Sequence, residues 1–252
     1  MTRLAIFDID GTLTDTNAVD DECFQRAVAE ILGLDSVRFN WQDAPHVTDS
    51  AITTWICESQ YGRAPHGAEL DQILARFLKL LAEELANNPG RFIPVCGADD
   101  ALLALRRAGW DLALATGGWE SSARLKLAAG GLQCADLAFA SASDALSREE
   151  IVQIARKRAE DQSGHSYSRV VSVGDGEWDV RCARALALPF VGIGTGSRAE
   201  MLRRAGATII LPDLSDTAVL FDALHSAKPP EPIQPDASES ERSAVEQDTA
   251  PG

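Results

Sequence analysis

The chain reads as an α/β protein, a parallel sheet covered by helices on both faces, with an inserted α-helical domain. Three observations predict this. Short apolar runs alternate with helical patterns from about residue 99 to the 220s, the signature of βαβ units. The first run, 3–7, is followed instead by a long interval, 16–90, with helical but no strand periodicity. Small or acidic residues (Asp8, Thr116, Asp175) close three of the runs, where parallel sheets bind ligands.

Strands are expected at 3–7, 111–115, 135–140, 169–173, 189–193 and 208–211, each a short apolar stretch bounded by turn residues. Helices are expected between and after them at 99–108, 119–129, 148–161, 177–187, 197–205 and 216–227. Inside the insert, helical spans fit 17–31, 49–60 and 68–86, the last with Leu70, Ile73, Leu74, Phe77, Leu78 and Leu81 at helical spacing. Periodicity alone leaves open whether these helices stand over the sheet's active edge or are added structural helices. From 227 the composition changes. AKPPEPIQPDASESERSAVEQDTAPG has no aromatic residue, five prolines and mostly acidic charge, too little apolar surface to offset the entropy of ordering. The expected organisation is a Rossmann-like core from 1–14 and 91–226, a helical cap over 15–90 and a disordered tail at 227–252.

A net charge of −15 over 252 residues argues against nucleic acid or an anionic membrane as partner. It leaves anionic small molecules open, because these meet the local charge of a cleft. Cys23, Cys57, Cys96, Cys134 and Cys182 show no CxxC or Cys/His spacing, as free thiols of a reducing, cytoplasmic compartment would. No apolar run has the length of a signal-peptide core or a membrane span.

The chemistry-bearing residues stand at the ends of strands. Asp8 and Asp10 are two apart in LAIFDIDGTLTDT, so they share one face while the strand geometry persists. An exposed turn would account for Asp10-Gly11 but not for an acid interrupting the strand itself. Two carboxylates kept ionised there need a cation, and oxygen-only ligands suit Mg²⁺. VVSVGDGEWD repeats the pattern with Asp175 at a strand end and Asp179 one helical turn on, although Asp179 also fits a first-turn acid favoured by the helix dipole. Thr116-Gly117-Gly118 before a helix offers a hydroxyl and open backbone N–H groups to an anion. In ALSREEI, Ser147 and Glu150 form a capping box, and this places Arg148 at the first helical position, either solvated or facing a phosphate.

These four elements, in this order, resemble the haloacid dehalogenase superfamily of phosphohydrolases, nearest its helical-capped phosphoglycolate phosphatase and β-phosphoglucomutase branch. DxDGT is matched by Asp8 to Thr12, the strand-ending hydroxyl by Thr116, and GDxxxD by Gly174, Asp175 and Asp179; Arg148 stands where the superfamily has a lysine. The resemblance covers residues 4–224. It implies Asp8 as nucleophile, Asp10 as general acid and base, and Thr116, Gly117 and Arg148 as the phosphate cradle. It also implies Mg²⁺ held by Asp8, the Asp10 backbone carbonyl and Asp175, with Asp179 in support. The implied activity is Mg²⁺-dependent hydrolysis of a small phosphorylated metabolite through an aspartyl-phosphate on Asp8.

A β-phosphoglucomutase-like sugar-phosphate mutase and a catalytically silent binding protein on the same fold are the alternatives. Asp10 and Asp175 argue against dehalogenation, which needs no metal. Lys79, the sole lysine of the insert and set in its apolar-striped third helix, argues against imine chemistry. VGIGTGSR, late in the chain and lacking the last glycine of G-x-G-x-x-G, fits a turn into a helix better than a dinucleotide site. Of the four histidines, His46 is expected in the cap facing substrate. Trp119 is expected either to wall the leaving-group pocket or to seat the following helix. Monomer and homodimer are both left open.

Overall fold

The computed structural model describes residues 2–35 and 44–232. Six parallel strands form the main sheet: β1 (Arg3–Phe7), β4 (Asp111–Ala115), β5 (Ala138–Ala140), β6 (Arg169–Gly174), β7 (Phe190–Ile193) and β8 (Ile210–Leu211). Their order is β5-β4-β1-β6-β7-β8. β1 is central, with Leu4 opposite Asp111 on one side and Val170 on the other. The chain runs outward to β5 and then returns to the far side of β1. This reversal opens a crevice at the carboxyl ends of β1, β4 and β6.

Alternation along the strands sends Ala5 and Phe7 to one face, where they pack with α4 (Ala98–Arg107), α5 (Glu120–Ala129) and α9 (Thr217–Ser226). Leu4 and Ile6 face the opposite layer of α6 (Arg148–Ser163), α7 (Glu177–Ala185) and α8 (Gly196–Arg204). Burial on both faces explains why the strands read as continuous apolar runs. The expected strands and helices are all present, with shifted ends. β5 starts three residues late because Leu137 N–H closes a turn onto Cys134 O at 3.2 Å. α7 stops at Ala185 because Ala187 takes a φ of 51°.

Helices α1 (Asn17–Leu32), α2 (Asp49–Tyr61) and α3 (Gly67–Asn87) occupy the interval expected to form a cap, called the cap below, and share an apolar cluster centred on Phe24, Ile56, Ile73 and Phe77 that Trp119 and Ala142 also join. Two short strands not expected from the sequence, β2 (Thr14–Asp15) and β3 (Ile93–Pro94), pair antiparallel where the chain leaves and re-enters the core. The tail expected from 227 lies outside the described residues beyond 232. Residues 227–232 are held by the core: Ala227 is buried, Phe190 N–H donates to Lys228 O at 3.1 Å, and Glu231 N–H to Gly206 O at 3.0 Å. All five cysteines are free thiols, only Cys96 exposed. Among the described residues no helix is long and apolar enough to cross a membrane.

Candidate active site

The crevice at the strand ends gathers the expected residues. Asp8 follows β1, and its N–H still donates to Val173 O at 2.9 Å, so the sheet ladder fixes it. Asp175 follows β6, and Asp179 lies in the first turn of α7. Asp179 is anchored by Gly176 N–H, which donates to its Oδ2 at 3.0 Å. Oxygens of Asp8, Asp175 and Asp179 all lie within 4.8 Å of one another, and all three residues are buried. Gly11 makes this possible. Its φ is +76°, and a Cβ there would overlap Asp175 Oδ2 and come within 2.6 Å of Asn17 Nδ2.

Crowding three acids out of water raises their affinity for protons. Burial, then Asp179, pushes the Asp8 carboxyl well above the usual carboxylate range. The same two causes push Asp175 up to about 7, and burial raises Asp179 against the opposing pull of Arg148. Asp175 Oδ1 is buried without a hydrogen-bond partner, while Oδ2 accepts from Asn17 Nδ2 at 3.0 Å and lies 3.3 Å from Arg198 Nη1. Three clustered oxygen donors with one orphaned oxygen fit a hard divalent cation.

Asp10 parts from this group. Its side chain turns to the cap side, where Oδ1 accepts from Thr16 Oγ1 at 2.6 Å and Oδ2 from Lys126 Nζ at 2.6 Å. Any share of Asp10 in binding a cation would fall to its backbone carbonyl. Lys126, fully buried on α5, also pairs with Asp20 of α1. Burial by itself would lower the Lys126 pKa, but Asp10 and Asp20 hold it above the ordinary lysine value.

Arg148 at the start of α6 reaches the centre. Nη1 donates to Asp179 Oδ1 at 2.6 Å and lies 3.5 Å from Asp8 Oδ1, and Nε donates to Val47 O at 3.0 Å. Its guanidinium also lies 5.5 Å from the centroid of the Trp178 ring. The capping expected at this helix start is present in part: Ser147 Oγ accepts from Glu150 N–H at 3.2 Å. Thr116 ends β4, buried, with Oγ1 accepting from Gly118 N–H at 3.1 Å. Gly117 has no room for a side chain, since a Cβ would lie 2.6 Å from Arg148 Nη2 and 2.7 Å from Val47 O.

A cavity of about 110 Å³ joins Asp8, Asp10, Thr116, Gly117 and Arg148 to residues of the cap. The cap is tied down around it by the N-terminus of α2. Asp49 N–H donates to Gly117 O at 2.8 Å, Trp119 N–H to Asp49 Oδ2 at 2.8 Å, Ser50 Oγ to Ala142 O at 2.9 Å and Thr48 Oγ1 to Leu146 O at 2.8 Å. Trp119 therefore seats the cap: its indole packs with Phe24 and Phe77, and Nε1 donates to Ser50 Oγ at 2.7 Å. It is not among the cavity's lining residues, and neither is His46, which is exposed.

Lys126, Asp20, Asp49, Asn17 and Trp178 were not anticipated from the sequence. Lys126 had a signal, because Ser122, Ala123, Lys126 and Leu127 form one buried stripe of α5, and a lysine on such a stripe needs a buried partner. Asp49 had none, being an ordinary acid in the first turn of a helix. Burial lifts its carboxyl to about 7.

A family model described as haloacid dehalogenase-like hydrolase matches residues 2–186. The chain is 28% identical over 229 residues to a phosphoglycolate phosphatase of Agrobacterium fabrum, covering 90% of this chain and 95% of that one. It is 27% identical over 195 residues to a phosphoglycolate phosphatase of Mesorhizobium japonicum, covering 77% and 83%. Among solved structures, a hydrolase from Pseudomonas syringae superposes with a TM-score of 0.67 at 20% identity, over 88% of this chain and 98% of that one, a likeness of fold. With the match spanning the strand ends that carry Asp8, Thr116 and Asp175 and the helix start that carries Arg148, the chain belongs to the haloacid dehalogenase-like hydrolases.

Proposed function

We propose that the protein is a Mg²⁺-dependent phosphatase that hydrolyses a small phosphomonoester through an aspartyl-phosphate on Asp8. One observation carries this reading: Asp8 faces the cavity from the end of the central strand, with Asp175 and Asp179 beside it and Thr116, Gly117 and Arg148 around the same opening. That both relatives are phosphoglycolate phosphatases supports it.

The Asp8 carboxylate attacks phosphorus, the P–O bond to the leaving group breaks, and the departing alkoxide takes a proton from Asp10. Asp10 then takes a proton from water as that water attacks the phosphorus of the acyl phosphate. Inorganic phosphate leaves, and the Asp8 carboxylate is restored. Thr16 and Lys126 hold the Asp10 carboxyl in place through both steps. Thr116, the Gly117 backbone and Arg148 offer donors to the transferring oxygens, where phosphoryl transfer gains most of its stabilisation. Asp8, Asp175 and Asp179 would hold Mg²⁺, with the Asp10 carbonyl; when bound, the ion supplies the positive charge that lets an anionic nucleophile meet an anionic phosphate. The cap contacts at Gly117 and Trp119 keep bulk water from the site.

The test is phosphate release from p-nitrophenyl phosphate with and without Mg²⁺. Release that requires the ion and vanishes in Asp8→Asn, with an unchanged circular dichroism spectrum, is expected. Turnover equal to wild type in that variant would refute the nucleophile.

A further inference from the structure

We infer that Trp178 is a positioning residue for the reaction: its indole supports the face of the Arg148 guanidinium, and this support is what suits arginine, rather than lysine, to the start of α6. The inference rests on the phosphatase reading, in which Arg148 offers donors to the transferring oxygens. Trp178 lies in the first turn of α7. Both side chains line the cavity, and the guanidinium lies over the Trp178 ring, 5.5 Å from its centroid.

A lysine ammonium is a compact point charge, whereas a guanidinium is a plane whose N–H bonds all lie within it. The bonds from Nη1 to Asp179 Oδ1 at 2.6 Å and from Nε to Val47 O at 3.0 Å therefore fix Arg148 within that plane. A contact on its face is what stops it from tipping. An aromatic ring supplies such a contact, and tryptophan attracts a cation most strongly. Nη2 is then held against Gly117, where a Cβ would lie 2.6 Å from it, beside the backbone proposed to receive the phosphoryl group. The indole is itself fixed, because it rests on Gly176, where a Cβ would overlap Trp178 Cε2 and Nε1. Buried indoles usually find a partner for their N–H. Trp178 Nε1 is buried with none among the described residues, so the ring and not the donor accounts for a tryptophan here.

Two explanations compete. In one, Trp178 only props the loop that carries Asp179, whose Oδ2 accepts from Gly176 N–H at 3.0 Å. In the other, it is a wall against the leaving group. Trp178→Phe keeps an aromatic face and loses the N–H, and Trp178→Met keeps apolar bulk without a face. With the full chain, Mg²⁺ and p-nitrophenyl phosphate, Trp178→Met should lower kcat/KM about tenfold and Trp178→Phe by less than about threefold. Inorganic phosphate, which has no leaving group, should inhibit Trp178→Met about tenfold more weakly than wild type. Mn²⁺ affinity, read by electron paramagnetic resonance, should stay within about twofold of wild type, whereas loss of a group that supports a metal ligand costs about tenfold or more. Arg148→Lys should cost about tenfold less in Trp178→Met than in wild type, the coupling expected of two side chains in contact.

An additive cycle would overturn the inference, as would Trp178→Phe as impaired as Trp178→Met, unchanged inhibition by phosphate, or Mn²⁺ affinity that falls in step with kcat/KM. Should Trp178→Met lose its native circular dichroism spectrum, fluorine NMR of fluorotryptophan-labelled protein decides. The resonance missing from Trp178→Phe should move in Arg148→Lys, and one that stays in place would overturn the contact. If wild type hydrolyses p-nitrophenyl phosphate and the cycle is additive, this inference fails and the phosphatase reading stands. If wild type hydrolyses nothing, the phosphatase reading fails and takes this inference with it.

Discussion

Replacing Lys126 with methionine keeps the length of the side chain and removes its charge from a fully buried position between Asp10 and Asp20. Two carboxylates then lose their shared counter-ion. Breaking a buried ion pair from one side typically costs about 3–5 kcal/mol. For a chain of this size, that corresponds to a fall in Tm of roughly 10 °C. The loss should depend on pH with a definite sign. Burial already holds the Asp20 carboxyl well above its usual range with Lys126 present, and without the lysine it rises further. The folded variant then binds more protons than the unfolded chain, so its stability climbs as pH falls. Urea unfolding followed by circular dichroism at about pH 8 and about pH 5 should find the larger deficit at the higher pH. Adding Asp20→Asn to Lys126→Met should recover about 1–2 kcal/mol, because one orphaned charge is gone. A deficit under about 1 kcal/mol at the higher pH, or one that does not change with pH, would refute the idea that Lys126 neutralises this buried pair.

Two further perturbations probe the crevice itself. Gly117→Ala should lower kcat/KM about 100-fold with little change in Tm, because the added methyl pushes against Arg148 Nη2 and the Val47 backbone and lifts the cap edge; a steady-state assay with wild-type values would mean the cap loop has slack there. Mg²⁺ should raise Tm more at about pH 8 than at about pH 5.5. Asp175 sits at about 7 in the folded protein against about 3.9 unfolded, so without metal the fold loses stability as pH rises between those values, and a cation that replaces the protons restores it. Equal shifts at both pH values, read by scanning fluorimetry, would argue against a cation among these carboxylates.

The sheet was legible because its strands are buried on both faces and its helices keep their apolar periodicity, so each span could be placed to within a few residues. The ribbon of β2 and β3 was not, since two-residue strands such as Ile93–Pro94 carry no pattern of alternation. At the site, Asp8, Asp175 and Thr116 were legible because a polar residue ending an apolar strand conflicts with burial unless something binds there. Arg148 was placed by its helix start rather than by its own surroundings. The cap side of the cavity was hidden. Asp20 and Asp49 look like first-turn acids in a helical segment, and only tertiary packing shows that α5 sends a lysine to one of them and that the other accepts from the Trp119 N–H. His46 shows the converse: a histidine near a cap helix invites a role, but its exposed position keeps it off the cavity wall.

The central claim is that Asp8 takes the phosphoryl group itself. The protein can be mixed with substrate and Mg²⁺, quenched in acid within the first turnover, digested and read by mass spectrometry. The peptide bearing Asp8 should carry the added mass of one phosphoryl group, with no such adduct in Asp8→Asn. A burst of product with Asp8 unmodified, or the phosphoryl group found on another residue, would contradict it.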